Sequence, residues 1–112
     1  MVGGNGETWR LSAANCSEGN EVARRGRRRA VLQDECLEDL RFWVDTNRKV
    51  ALRVLDLLDA VLREPYAGIG KPEHLKHFGG NVWSRRINDA DRLVYEVFED
   101  RVEFLQARYH YG

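Results

Sequence analysis

The stretch VWSRRINDADRLVYEVFEDRVEFLQARYH, residues 82–110, contains three strand-type runs separated by two very short connections. The runs are VWSRRI (82–87), RLVYEVF (92–98) and RVEFLQARYH (101–110), each carrying β-branched or aromatic residues. NDAD and ED are short enough only for hairpin turns, so the three runs form an antiparallel meander. A meander with alternating side chains has two faces, and at least one must be buried against a second layer.

The sequence upstream supplies that layer. Val50, Ala51, Val54, Leu57, Leu58, Val61 and Leu62 recur at helical spacing between a capping Asn47 and a terminating Pro65. Asp34 is read as the N-cap of a preceding helix, with Leu37, Leu40 and Val44 along one side. Ala30, Val31 and Leu32 read as a short buried strand ahead of it. The expected fold is therefore α+β, in the order β-α-α-β-β-β. A helical hairpin covers one face of a twisted, mainly antiparallel sheet, the early strand adds to its edge, and the other face stays open as the candidate binding surface.

One domain of this kind accounts for the 112 residues. Residues 1–23 are rich in Gly, Asn, Ser and Glu without sustained periodicity, so 1–27 read as a flexible extension from an upstream start, leaving 28–112 as the folded unit. The arginine-rich junction RRGRRR (24–29) reads as solvated rather than as a nucleic-acid arm. Eighteen basic and 18 acidic residues give no net charge, so attraction to a polyanion must come from a local patch. Cys16 and Cys36 form no metal-binding or disulfide pattern. No apolar run suggests a signal peptide or a membrane span, and the cytoplasm is the expected location.

Perfect alternation in the last run would place Val102, Phe104, Gln106, Arg108 and His110 on one side, and Glu103, Leu105, Ala107 and Tyr109 on the other. Side chains on adjacent strands lie ~5 Å apart, so arginines from several strands and His110 can converge. An Arg, Lys, His and Tyr cluster with one carboxylate suits cleavage of RNA without a metal. A base removes the 2′-hydroxyl proton, an acid protonates the leaving oxygen, and cations stabilise the charged transition state. Glu73 in GKPEHLKH is the natural base and His110 the natural acid. Spacing alone also allows a solvated His110, salt-bridging roles for Arg85 and Arg86, and a core or sheet-face role for Trp83 instead of base stacking.

Taken together, GKPEHLKH, WSRRI, DRLVY and the terminal RYHY resemble the YoeB toxins of the RelE/ParE toxin–antitoxin superfamily. The likeness spans about residues 29–111 and includes FWVDTNRK in the helical hairpin. It implies a RelE-like, microbial-RNase-like fold and a ribosome-dependent mRNA endonuclease that cuts in the A site and inhibits translation. A YefM-like antitoxin would hold it inactive, and operator DNA would be bound only through that complex. The ribosome and mRNA are the other implied partners, with a homodimer as a further assembly and no cofactor or metal. By motif position the catalytic set is Glu73 as base, Arg92 on the phosphate, His110 as acid and Tyr111 as the terminal tyrosine. Lys76 and Arg86 match basic positions expected on the RNA backbone, and Arg85 and Arg108 join them as RNA-binding candidates. Departures are Gly112 after the tyrosine, His74 where many relatives have proline, and FGGN before the first meander strand. The alternatives are a ParE-like toxin that binds DNA gyrase without cleavage, and a toxin that blocks the ribosome with weak chemistry.

Overall fold

The computed structural model describes residues 27–109; the extension before them, and His110, Tyr111 and Gly112, lie outside the described residues. The order is β1 (Arg29–Leu32), α1 (Asp34–Thr46), α2 (Arg48–Arg63), β2 (Glu73–His74), a 3-10 turn (Lys76–Phe78), β3 (Val82–Arg86), β4 (Arg92–Val97) and β5 (Arg101–Gln106). The expected α+β architecture and meander are present. The sheet has five strands in the order β1-β5-β4-β3-β2, with β1 parallel to β5 and the other pairs antiparallel. β2 is an element the sequence reading left inside a glycine-rich loop. β1 is less buried than expected, because it forms an edge and Arg29 and Ala30 face solvent.

Asn47 alone joins the two helices and caps α2 through its side chain, which accepts from the Val50 N–H at 3.4 Å. Asp34 is not the cap of α1. It is the first helical residue, and with Glu35 it places negative charge at the positive end of the helix. Gln33 precedes it, tied to β5 by its backbone N–H to the Phe104 carbonyl (3.0 Å) and its side chain to Glu103 (3.2 Å). The buried stripe of α1 is also shifted from the expected one. Leu37 and Val44 are about half exposed, while Cys36, Asp39, Leu40 and Trp43 face the sheet. A buried aspartate in the stripe conceals its phase from hydropathy.

Cys36 packs with Val54, Leu57 and Val61 of α2 against Leu93, Tyr95, Val102 and Phe104 of the sheet. The other face is not bare. Leu75, Val82 and Val94 are buried there with Leu105 beside them, so part of the open face is closed by an apolar cluster of its own. Leu105 is the extra residue in β5: Tyr95 pairs with Phe104 but Val94 pairs with Gln106. This bulge reverses the expected alternation. Gln106 moves to the open face, and Ala107, fully buried, joins the helix-side core.

Arg85 is buried completely on the helix side. Its guanidinium donates to the carbonyls of Glu64 (2.5 Å), Ala67 (2.9 Å) and Ile69 (3.1 Å) and to the Tyr95 hydroxyl (3.2 Å). Tyr95 in turn donates to the Pro65 carbonyl at 2.7 Å. The cation thus satisfies carbonyls at and beyond the C-terminal end of α2, where a helix leaves acceptors without partners. Gly70 completes the junction: at φ 84°, a Cβ there would meet Leu57 Cδ2 at 2.9 Å, and its carbonyl accepts from the Arg86 N–H at 2.6 Å. Among the described residues, no helix is long and apolar enough to cross a membrane.

Two predictions follow from this core. Arg85→Leu lowers unfolding free energy by about 3–5 kcal/mol, because it strips the donor from buried carbonyls. Arg85→Lys recovers only part of that loss in urea denaturation, since one ammonium cannot span four acceptors. Burial raises the Cys36 thiol from its ordinary 9.0 to about 12, and also raises the Tyr95 phenol. Both groups hold their protons more tightly when folded, so their contribution is complete below pH 9 and is lost as pH rises toward 12. Denaturation midpoints should fall between pH 8 and pH 11, less steeply in Cys36→Ala relative to its own value at pH 8.

Candidate active site on the open face of the sheet

Strand register places the sequence candidates. Glu73 pairs with Ser84, Ser84 with Val94, and Val94 with Gln106, so these four form one row across the sheet. Paired residues share a face, and Val94 lies opposite the helix-packed Leu93 and Tyr95, so the row is on the open face. Arg86 and Arg92 pair with each other two residues further along, on that same face. Strand spacing and rise put the Glu73 and Arg92 Cα atoms roughly 12 Å apart, a gap that two long side chains can close around one phosphodiester.

Glu73 is exposed, and its edge strand is anchored by Leu75, 5% exposed, whose N–H donates to the Val82 carbonyl at 2.8 Å. Lys76 follows at the start of the 3-10 turn and is exposed. Lys71 precedes the strand with φ 54°, a left-handed conformation that turns the chain from Gly70 into β2. Arg92 is half-buried, and one guanidinium nitrogen donates to the carbonyls of Asn88 (3.1 Å) and Asp91 (3.4 Å). Asn88 also closes the β3–β4 turn by accepting from the Ala90 and Asp91 N–H groups. Arg86 is exposed directly opposite Arg92. Two like charges in that position repel unless an anion lies between them.

The other two arginine candidates lie elsewhere. Arg85 belongs to the core and has no surface to offer a phosphate, since Leu93, its partner in β4, faces the helices. Arg108 leaves the sheet after the bulge, and its guanidinium stacks 3.4 Å from the Phe42 ring centroid of α1 and 4.6 Å from that of Tyr109. The expected shared direction of Arg108 with Val102 and Phe104 is therefore replaced by a clamp on the tail. His110 and Tyr111 lie outside the described residues.

The path of the chain toward them is nevertheless fixed up to Tyr109. Ala107 is gripped at both backbone groups by α1: its N–H donates to Asp39 Oδ2 (3.0 Å), and its carbonyl accepts from Trp43 Nε1 (2.8 Å). The Tyr109 carbonyl accepts from the Arg92 N–H and from Gln106 Nε2, both at 3.3 Å. Residue 109 thus stands beside the base of Arg92. Sequence reasoning missed Asp39, Phe42 and Trp43 as supports of the tail. Their only sequence signal was an acidic residue inside an amphipathic helix and an aromatic pair one turn later.

The chain is similar to known proteins in sequence and in fold. Residues 32–111 match the family profile described as YoeB-like toxin of bacterial type II toxin-antitoxin system. Toxin YoeB of Mycobacterium bovis is 49% identical over 74 residues, covering 66% of this chain and 87% of the relative. Toxin YoeB of Escherichia coli K12 is 37% identical over 81 residues, covering 72% and 96%. Among solved structures, a YoeB/ParE toxin from Agrobacterium tumefaciens superposes with TM-score 0.69 at 36% identity, covering 74% of this chain and 99% of that one. The YoeB dimer from Staphylococcus aureus gives 0.70 at 32% identity, covering 76% and 99%. The YoeB–YefM complex from the same organism gives 0.67 at 34%, with the same coverage. Matched over these lengths, the chain belongs to the YoeB-like toxins of bacterial type II toxin–antitoxin systems.

Proposed function

We propose that this toxin is a ribosome-dependent mRNA endonuclease of the cytoplasm that cuts in the A site and inhibits translation. The observation that carries the reading is the meeting of a carboxylate and two arginines on one face, with the tail led to Arg92. Glu73 takes the proton of the 2′-hydroxyl as its oxygen forms a bond to phosphorus. Arg92 and Arg86 stabilise the added negative charge, with Lys76 on the neighbouring backbone. The bond from phosphorus to the 5′-oxygen breaks, and His110 gives that oxygen its proton. The products are a 2′,3′-cyclic phosphate and a free 5′-hydroxyl. Tyr111 completes the set as its terminal tyrosine.

The Staphylococcus aureus YoeB–YefM complex supports a YefM-like antitoxin as the partner, and the YoeB dimer supports a homodimer. Operator DNA would be reached only through the antitoxin complex. A segment of the antitoxin that is disordered when free and rich in acidic residues would cover the Arg86–Arg92 pair.

Primer extension on an mRNA in a reconstituted translation system tests the activity. Cuts at A-site codons should require ribosomes, and Glu73→Ala and His110→Ala should each lower the rate by about 10²- to 10⁴-fold. Translation stalled without cut mRNA would instead mean ribosome blocking, and intact translation with no cuts would favour a gyrase-directed toxin. The grip of α1 on the tail gives a second test. Asp39→Ala should slow single-turnover cleavage by about 10- to 100-fold through misplacement of the acid. Asp39→Asn keeps an acceptor for the Ala107 N–H and should retain most of the rate.

A further inference from the structure

We infer that the free edge of β2 carries a nucleobase-stacking subsite, built by His74 over Trp83, for the base adjoining the phosphate on the Glu73 face. The inference rests on the nuclease reading of that face and adds where the RNA base goes. His74 and Trp83 are cross-strand partners with ring centroids 5.1 Å apart and planes inclined by 22°, a stacked pair. Trp83 is half-buried and fixed: its indole N–H donates to Asn81 Oδ1 at 2.8 Å, and Asn81 Nδ2 donates to the Tyr66 hydroxyl at 3.0 Å. The Tyr66 ring lies 5.1 Å from Trp83. His74 is the exposed ring at the end of this braced stack.

The register adds two further points. Leu75 donates to Val82, so in the alternating antiparallel pattern the next pair, His74 with Trp83, is non-hydrogen-bonded. Side chains approach more closely in such a pair, and the His74 N–H and C=O turn toward the free edge, where they can meet the polar rim of a base. Glu73 and His74 are neighbours pointing to opposite faces of the edge strand. A nucleotide lying across that edge has its phosphate toward Glu73, Arg86 and Arg92 and its base toward the stack. Single-stranded RNA is recognised in this manner, by splayed bases on aromatic rings.

A 2′-O-methyl trinucleotide, which lacks the attacking hydroxyl, is the probe. Titrated into the isotopically labelled protein, it should shift the Trp83 indole N–H and the His74 ring resonances. His74→Ala should weaken its binding about tenfold, while His74→Phe keeps the affinity. Equal affinity in His74→Ala, shifts confined to the Glu73, Arg86 and Arg92 face, or no shift at all would each overturn the subsite. A fall in cleavage by His74→Ala with unchanged trinucleotide affinity would do the same, by showing that the stack only braces β2. Primer extension with the wild type judges the nuclease reading separately.

Discussion

The guanidinium of Arg85 lies at zero exposure with no carboxylate in ion-pair contact among the described residues, and its charge is met by oxygens of three carbonyls and a phenol. A buried cation is tolerated only when its donors are saturated, so the segment from Glu64 to Ile69 must wrap around it. That wrapping decides where the chain goes next. Gly70 is delivered against Leu57 and Arg86, and three residues later Glu73 pairs with Ser84 at the sheet edge. One core interaction therefore fixes the position of a carboxylate on the opposite face.

Residues whose roles follow from local chemistry were legible in the sequence. The turns at NDAD and ED, the Asn47 cap and the apolar stripe of α2 each rest on neighbours within a few positions, and each is in the structure. The motifs singled out Glu73, Arg86 and Arg92 as candidates, but their common face was not legible, because it depends on β2, a two-residue strand hidden in a glycine-rich loop. Contacts over long separations were not legible. Asp39 is buried because it answers the N–H of Ala107, 68 residues away, and that contact sets the phase of α1. The Leu105 bulge inverts the end of β5 without any glycine to mark it. Arg85 and Arg86 are adjacent and chemically identical, yet one is a core residue and the other a surface cation, because a strand alternates its faces.

The candidate site accordingly depends on two layers of support that differ in kind. On the edge side, Leu75 and its apolar neighbours hold β2 against β3. On the tail side, polar and aromatic groups of α1 hold Ala107 and Arg108. The first support is non-directional and tolerates repacking, whereas the second depends on hydrogen-bond and ring geometry. The tail is thus the more exactingly built half of the site.

Both margins of the sheet are short, four residues at β1 and two at β2. A long, flat, unpaired strand is a template on which other chains can add, and proteins that persist at high concentration avoid one. Here the β1 margin carries Arg29, which is paired with Asp100 beside Arg101, so charge lines it. At the other margin the chain leaves β2 after two pairs for the 3-10 turn Lys76–Phe78, which ends the strand and is itself closed by Gly79 at φ 89°. The same brevity that presents Glu73 and His74 to solvent thus denies the molecule a surface for indefinite sheet growth.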